Sequence, residues 1–430
     1  MTIDEQVRQI AAEATRRLTE AHSDPAGPDY RATARRVIRQ VLQERASRAL
    51  GAGQPVLDPV TEDHLLRSGM AQVCGVGPLE VLLEDPQIEN VNLTGTQVRV
   101  RYADGRREQL PPIVERPEDL ITLVQRIAAT SPQGERRFDS ASPFLDMVLE
   151  DGSRLHAVRD VVHQPAVSIR RHRYQRVSLG ELRRLGTLDE VLVELLRAAV
   201  RARRNVIITG GTGAGKTTLL RALAAEIPPQ ERLVTIEDVP ELRLERDAAA
   251  HPDVLAKFSR PPNVEGAGEV TVADQVRAAL RESPDRVIVG ETRGSETVPL
   301  LVAMAQGNDG SLTTLHAADS AGAATKLGAY AALSEERLPL ETTALLVAAA
   351  VHLVVHVWAT PDGQRRLTSV REVVGAEGAQ VLSNEIYRHE HGQVQPAAPP
   401  SPTTARALMG AGFDVTRLMV PPSGVNGRGL

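Results

Sequence analysis

The sequence predicts an α/β protein: a parallel-sheet core, preceded by a small α+β domain and an N-terminal helical extension. Three observations carry this. Between residues 206 and 358, short apolar runs alternate with helix-forming stretches, the pattern of strands joined by covering helices. One of those runs, Val206-Ile207-Ile208, leads through a glycine-rich segment at 210–217 into the helix-forming stretch Thr218 to Leu223. Between residues 91 and 169 the apolar residues recur instead with period two, between turn residues, which suits antiparallel strands.

The elements follow in chain order. Ile3, Val7, Ile10, Ala14 and Leu18 recur at helical spacing, a break follows at Asp24-Pro25-Ala26-Gly27-Pro28, and a second amphipathic run carries Val37, Ile38, Val41 and Leu42. This is the helical extension, residues 1–57. Its Arg31, Arg35, Arg36, Arg39, Arg45 and Arg48 read as a solvated helix face in preference to an acidic-partner or membrane surface. After the Gly51–Pro55 linker, a helix near Leu79–Leu83 precedes strands at Val91–Leu93 and Val98–Tyr102, with a turn at Ala103-Asp104-Gly105. A helix at Leu120–Ala129 and strands at Leu155–Val158 and Val167–Ile169 complete the α+β domain, residues 58–176.

The core, residues 177–360, has candidate strands at Val206–Ile208, Leu233–Ile236, Val287–Val289, Leu312–Leu315 and Leu353–Trp358. A C-terminal segment, 361–430, opens on a hairpin signal at Pro361-Asp362-Gly363 and passes through the Pro-rich stretch 396–402. Its last dozen residues, rich in Gly and Pro, are expected to be disordered.

Residues 210–217 read Gly-Gly-Thr-Gly-Ala-Gly-Lys-Thr, a complete phosphate-binding loop. Gly210, Gly211, Thr212, Gly213, Ala214 and Gly215 turn backbone N–H groups toward phosphates, and the following helix N-terminus adds partial positive charge. Lys216 neutralises the outer phosphates, the Thr217 hydroxyl reaches Mg²⁺, and Thr218 completes the binding set. Only three lysines, Lys216, Lys257 and Lys326, stand among the 50 basic residues, so an accidental match is rare. The same scarcity removes the Asn-Lys-x-Asp guanine-reading motif, leaving ATP as the expected nucleotide.

Ligands of open parallel sheets bind beyond the carboxyl ends of the strands. Here Leu233–Ile236 ends in Glu237-Asp238, Val287–Val289 in Gly290-Glu291, and Leu312–Leu315 in His316. ATP hydrolysis needs one carboxylate to activate water and another to hold the metal's hydration shell. Glu237 is the first choice for general base and Glu291 for the metal, although the two roles can be exchanged on these grounds. Asp238 is expected to orient its loop. His316 suits a γ-phosphate sensor or a link between subunits in preference to a core histidine.

The remaining composition sets bounds. With 42% hydrophobic residues but only 2% aromatic, the cores must rest on Ala, Val, Leu and Ile. A net charge of −5 argues against a nucleic-acid-coating protein. One cysteine, Cys74, forbids an internal disulfide and any Cys-rich zinc site. Met1–Glu20 lacks the apolar stretch of a signal peptide, and the apolar stretch Ala344–Ala359, interrupted by His352 and His356, is shorter than the ~20 residues of a spanning helix. It reads as a helix end followed by a buried strand, and the chain is expected to be soluble and cytoplasmic.

Thr235-Ile236-Glu237-Asp238, Val289-Gly290-Glu291-Thr292-Arg293-Gly294 and Ser311-Leu312-Thr313-Thr314-Leu315-His316-Ala317 are similar to the Asp box, Walker B region and His box of type II and type IV secretion ATPases. Arg260–Gly266 and Pro284-Asp285-Arg286 resemble the CpaF-type branch that powers tight-adherence pili. The resemblance spans about Gly77 to Arg388. It implies a RecA-like P-loop NTPase core, Mg-ATP hydrolysis, a homo-hexameric ring, and work on an inner-membrane platform protein at the cytoplasmic face of the membrane. It also implies that arginines of the preceding domain close over the phosphates, at the matching positions Arg154 and Arg170 or Arg171, and that Arg293 serves the active site or a subunit contact. Gly290 stands where many Walker B strands carry Asp, and three departures from the family pattern stand out: Ser295 where Gly is usual after the Arg-Gly pair, Arg159–Gln164 without the usual Pro and Gly turn before the arginine strand, and Ala317–Ser320 after the His box. A conjugative DNA-transfer ATPase and a weakly hydrolysing nucleotide-binding scaffold are the competing readings.

Overall fold

The computed structural model describes residues 3–21, 29–129, 137–149, 151–171, 177–260, 262, 266–360, 363–390, 392–395 and 397–419. The C-terminal tail expected to be disordered lies outside these residues, as do the first break's Asp24–Pro28 and the turn residues Pro361 and Asp362. The chain forms two compact units, Met1–Arg173 and Tyr174–Leu430.

In the first unit, helices α1 (Ile3–Glu20), α2 (Tyr30–Gly51) and α3 (Pro59–Cys74) share one apolar cluster. Val7, Ile10, Ala14 and Leu18 of α1 bury the stripe their spacing requires, against Ile38 and Val41 of α2 and Leu65 and Val73 of α3. The Asp58 carboxylate starts α3 by accepting from the N–H groups of Val60 and Thr61, with Pro59 in the first turn where its missing N–H costs nothing. The boundary expected at residue 57 therefore falls inside a three-helix cluster. The glycines of the 51–55 linker make a helix connection there, and the apolar face of α3 turns back onto α1 and α2.

A short helix α4 (Glu80–Glu84) leads to strands β1 (Ile88–Thr94), β2 (Gln97–Tyr102) and β3 (Arg107–Leu110). Helix α5 (Pro117–Ala129) and strands β4 (Phe144–Val148), β5 (Arg154–Val158) and β6 (Ala166–Arg170) follow. The strands make a six-stranded antiparallel sheet in the order β3-β2-β1-β6-β5-β4. Val91, Val100, Leu155 and Ile169 bury one face with Leu120 and Val124 of α5, and the alternate residues leave the other face polar.

The second unit opens with α6 (Leu179–Arg184) and α7 (Glu190–Arg201), then β7 (Val206–Thr209), α8 (Lys216–Ala224), β8 (Leu233–Glu237), β9 (Val254–Phe258), α9 (Val272–Ala279), β10 (Arg286–Thr292), α10 (Thr297–Ala305), β11 (Leu312–Leu315), α11 (Gly322–Leu333) and α12 (Leu340–Ala350). It closes with β12 (Leu353–Ala359), β13 (Arg365–Glu377), β14 (Gln380–Glu390), β15 (Gln393–Gln395) and α13 (Pro402–Gly410). The sheet order is β15-β14-β13-β12-β7-β11-β10-β8-β9, parallel from β12 to β9 and antiparallel from β12 to β15.

Side-chain alternation divides this core into two layers. Val206, Ile208 and Ile288 pack with α6, α7 and α8, whereas Ile207, Val234 and Val289 pack with α9 to α12. Every strand expected in the core is present. Trp358, next to last in β12, is 49% exposed, so burial stops at Val357. The segment after Thr360 belongs to the same layers: Leu367, Val370, Ile386 and Leu408 join the first cluster.

At the end of β10 away from the phosphate loop, Arg286 is fully buried. Its guanidinium pairs with Glu231 through two bonds of 2.7 and 2.8 Å and donates to the Val200 carbonyl at 2.8 Å. Asp285 accepts from the Arg232 N–H at 2.7 Å. The Pro284-Asp285-Arg286 motif thus ties strand starts together. Removing one member of a buried pair leaves an uncompensated charge, so Arg286→Ala is expected to cost about 3–5 kcal/mol, read as a lower urea midpoint at unchanged slope.

Candidate functional site: the carboxyl rim of the parallel sheet

Four adjacent strands, β7-β11-β10-β8, carry the phosphate loop, His316, Glu291 and Glu237 in that order to the same end of the sheet. Because these strands are parallel and in register, with Thr209 opposite Leu315 and Val289 opposite both Thr313 and Ile236, the polar residues that follow them share one rim.

The loop is shaped for phosphate. Gly213 and Gly215 hold left-handed backbone, at φ +75° and +98°, and a Cβ on Gly210 would stand 2.3 Å from the Val357 carbonyl oxygen. Lys216 opens α8, and its ammonium donates to the carbonyls of Gly210 and Gly211 at 3.1 and 3.0 Å. A glycine-lined turn, a lysine and a nine-residue helix starting at the turn form a donor set that fits a nucleotide polyphosphate. Thr217 and Thr218 stand in the first turn of that helix. Beneath the loop, Thr209 donates to the Val355 carbonyl, and its hydroxyl lies 2.9 Å from Nδ1 of the buried His356.

Lys216, His316 and Glu291 form a chain of contacts. The Lys216 ammonium is 3.2 Å from His316 Nε2, which in turn lies 2.9 Å from a Glu291 carboxylate oxygen. Glu291 keeps a third of its side chain exposed. Glu237 differs sharply. At 5% exposure its carboxylate accepts from the backbone N–H groups of Glu241 and Leu242, at 3.1 to 3.2 Å. Burial pushes its pKa up to about 8, although the two backbone donors and the nearby Arg221 pull the other way. Asp238 does brace its loop: it accepts from the Ser259 hydroxyl at 2.8 Å and pairs with Arg293.

Gly290 now has a physical explanation. A Cβ there would stand 2.9 Å from Glu237 Cγ and 3.1 Å from Oε1, so the buried carboxylate occupies the space a side chain at 290 would need. Nothing in the sequence pattern alone signals this exchange.

Arg154 and Arg170 face each other across β5 and β6 on the polar side of the first unit's sheet. The row continues through Asn90, Arg101 and Arg107, so Arg101 and Arg107 extend an arginine strip that motif matching misses. Arg171 lies at the strand end instead and donates to the Asp85 carbonyl. A further residue outside every motif, Arg365 at the start of β13, donates through Nε to the Gly213 carbonyl at 3.0 Å.

The family model for type II/IV secretion system proteins matches residues 80–388. The chain belongs to the type II/IV secretion ATPase superfamily. This secretion ATPase is 35% identical over 343 residues to a Mycobacterium tuberculosis protein provisionally named for conjugal transfer, covering 77% of this chain and 94% of that one. It is 30% identical over 311 residues to the type IV secretion system protein VirB11 of Brucella abortus, covering 65% and 83%. Among solved structures, the pilus retraction motor PilT with bound ADP aligns at a TM-score of 0.50 and 21% identity, covering 70% of this chain and 83% of that one, a likeness of fold. Among the described residues of the secretion ATPase, no helix is long and apolar enough to cross a membrane, and no cluster of His, Cys, Asp and Glu could hold a metal ion by itself.

Proposed function

We propose that this secretion ATPase hydrolyses Mg-ATP at the rim of β7, β11, β10 and β8, and that a homo-hexameric ring of it drives assembly of a tight-adherence pilus or protein export. The contact chain Lys216–His316–Glu291 carries the reading, because it joins the phosphate-gripping lysine to an accessible carboxylate through an imidazole. Gly210 to Lys216 and Thr218 hold the phosphates, and Thr217 holds Mg²⁺, which supplies positive charge beside the outer phosphates. Glu291 takes the general-base role and Glu237 positions the 240–242 turn, the reverse of the order the motifs suggest. Glu237 is buried with its oxygens on backbone donors, whereas Glu291 can reach a water. His316 reports the γ-phosphate to neighbouring strands, and Arg293 exchanges its Asp238 partner for a phosphate or a subunit contact. Arg154 and Arg170 supply further positive charge for the phosphates, as the resemblance implies, with Arg171 anchoring their strand.

The motor works at the cytoplasmic face of the membrane, against an inner-membrane platform protein. Light scattering is expected to give a six-membered ring in Mg-ATP and smaller species for Lys216→Ala; a monomer at high concentration in both would remove the ring. The similarity to a conjugal transfer protein over nearly its whole length favours a second reading, DNA transfer. A deletion strain separates them: loss of surface pili with conjugation intact supports the first, and the converse supports the second.

A further inference from the structure

Two strands beyond the phosphate-loop strand wrap one flank of the loop. The Val357 carbonyl of β12 abuts Gly210, and Arg365 of β13 abuts both Gly213 and Gly215. Its Nε donates to the Gly213 carbonyl at 3.0 Å, and its Cδ would stand 3.1 Å from a Cβ on Gly215. Gly215 is demanded by its left-handed φ of +98°, and the arginine stem packs closely beside it. The backbone of Arg365 is equally fixed. It pairs with Ala359 across the β12–β13 ladder, and β12 pairs through Leu353–His356 with β7, the strand that enters the loop.

We propose that Arg365 is a second cation of the phosphate site, supplied from within the same chain by β13. The inference rests on residues 210–217 being the nucleotide site and adds a residue that no motif in the sequence marks. A guanidinium is planar and always charged, and the seat of its Nε on the Gly213 carbonyl holds that charge beside the loop. The amides of that loop face the nucleotide phosphates, so an anchored positive charge one side chain away adds to the field of Lys216. The seat also holds Gly213 in position before nucleotide arrives. Unlike an arginine delivered by a moving domain, this one is carried by the sheet that holds the loop, and its contribution belongs to ground-state binding more than to turnover.

The test is calorimetric titration of full-length protein with Mg-ADP at low and high salt. Arg365→Gln keeps a donor for the Gly213 carbonyl but removes the charge; Arg365→Lys keeps the charge. R365Q is expected to bind ADP about tenfold more weakly at low salt, with a shallower salt dependence, and R365K to recover most of the loss. Thermal melting and emission of the single tryptophan, Trp358, check the fold of each variant. ADP binding by R365Q within twofold of wild type overturns the proposal, as does an R365K as weak as R365Q. If R365Q fails to melt cooperatively, R365K decides alone: near-wild-type affinity supports the charge role and a tenfold loss defeats it. Failure of the wild type to bind ADP, matched by Lys216→Ala, would instead remove the reading of the loop itself.

Discussion

Glu291→Gln is expected to lower ATP turnover about 100- to 1,000-fold while leaving Mg-ADP affinity within threefold of wild type. The substitution is isosteric and keeps an acceptor for His316, so what it removes is the capacity to take a proton from water. Single-turnover phosphate release, with ADP titration alongside, makes the separation. The contrast is Glu237→Gln. Both oxygens of Glu237 accept from backbone N–H groups, and a glutamine carbonyl can continue to do so, so a smaller loss is expected there. A Glu291→Gln enzyme that turns over at more than a third of the wild-type rate, beside an inactive Glu237→Gln, would return the base to Glu237.

Glu237 should instead dominate the pH dependence of stability. Its pKa rises from 4.5 to about 8 on folding, so between those values the folded chain holds a proton that the unfolded chain has released. Stability therefore falls as pH climbs through this window and levels off above it, by on the order of 5 kcal/mol at most. Glu237→Gln carries no such proton. Urea midpoints of the two proteins should agree near pH 4.5 and diverge toward pH 8.5, with the variant the more stable. Parallel curves would mean that the carboxyl ionises as freely in the folded chain as in the unfolded one.

Much of this was legible in the residues, for identifiable reasons. A loop that wraps phosphate in backbone amides constrains residue type at nearly every position, so 210–217 announces itself. Fully buried parallel strands read as unbroken apolar runs, as at Val206–Ile208 and Val287–Val289. The strands that escaped notice violate that rule. β9 is a half-buried edge strand interrupted by Lys257, and the Arg371-Glu372 pair interrupts the apolar pattern of β13. The extra helix of the N-terminal cluster was hidden by glycines that mark a turn without saying whether the chain folds back. Arg365 was invisible for a different reason: as one arginine among many in a chain nearly without lysine, it carries no local signature, and only the ladder from β13 through β12 to β7 brings it to Gly213.

The close approach at Gly290 also restricts how such an enzyme can change. An aspartate cannot be introduced at 290 in one step, because its Cβ would enter the volume held by Glu237, and Glu237 cannot retreat without abandoning the Glu241 and Leu242 amides. The two positions are therefore bound in a reciprocal trade: lineages with a side chain on the Walker B strand at this point should carry a shorter or redirected residue at 237, and hybrids bearing both long groups should fail. Their sequence histories are expected to be written jointly.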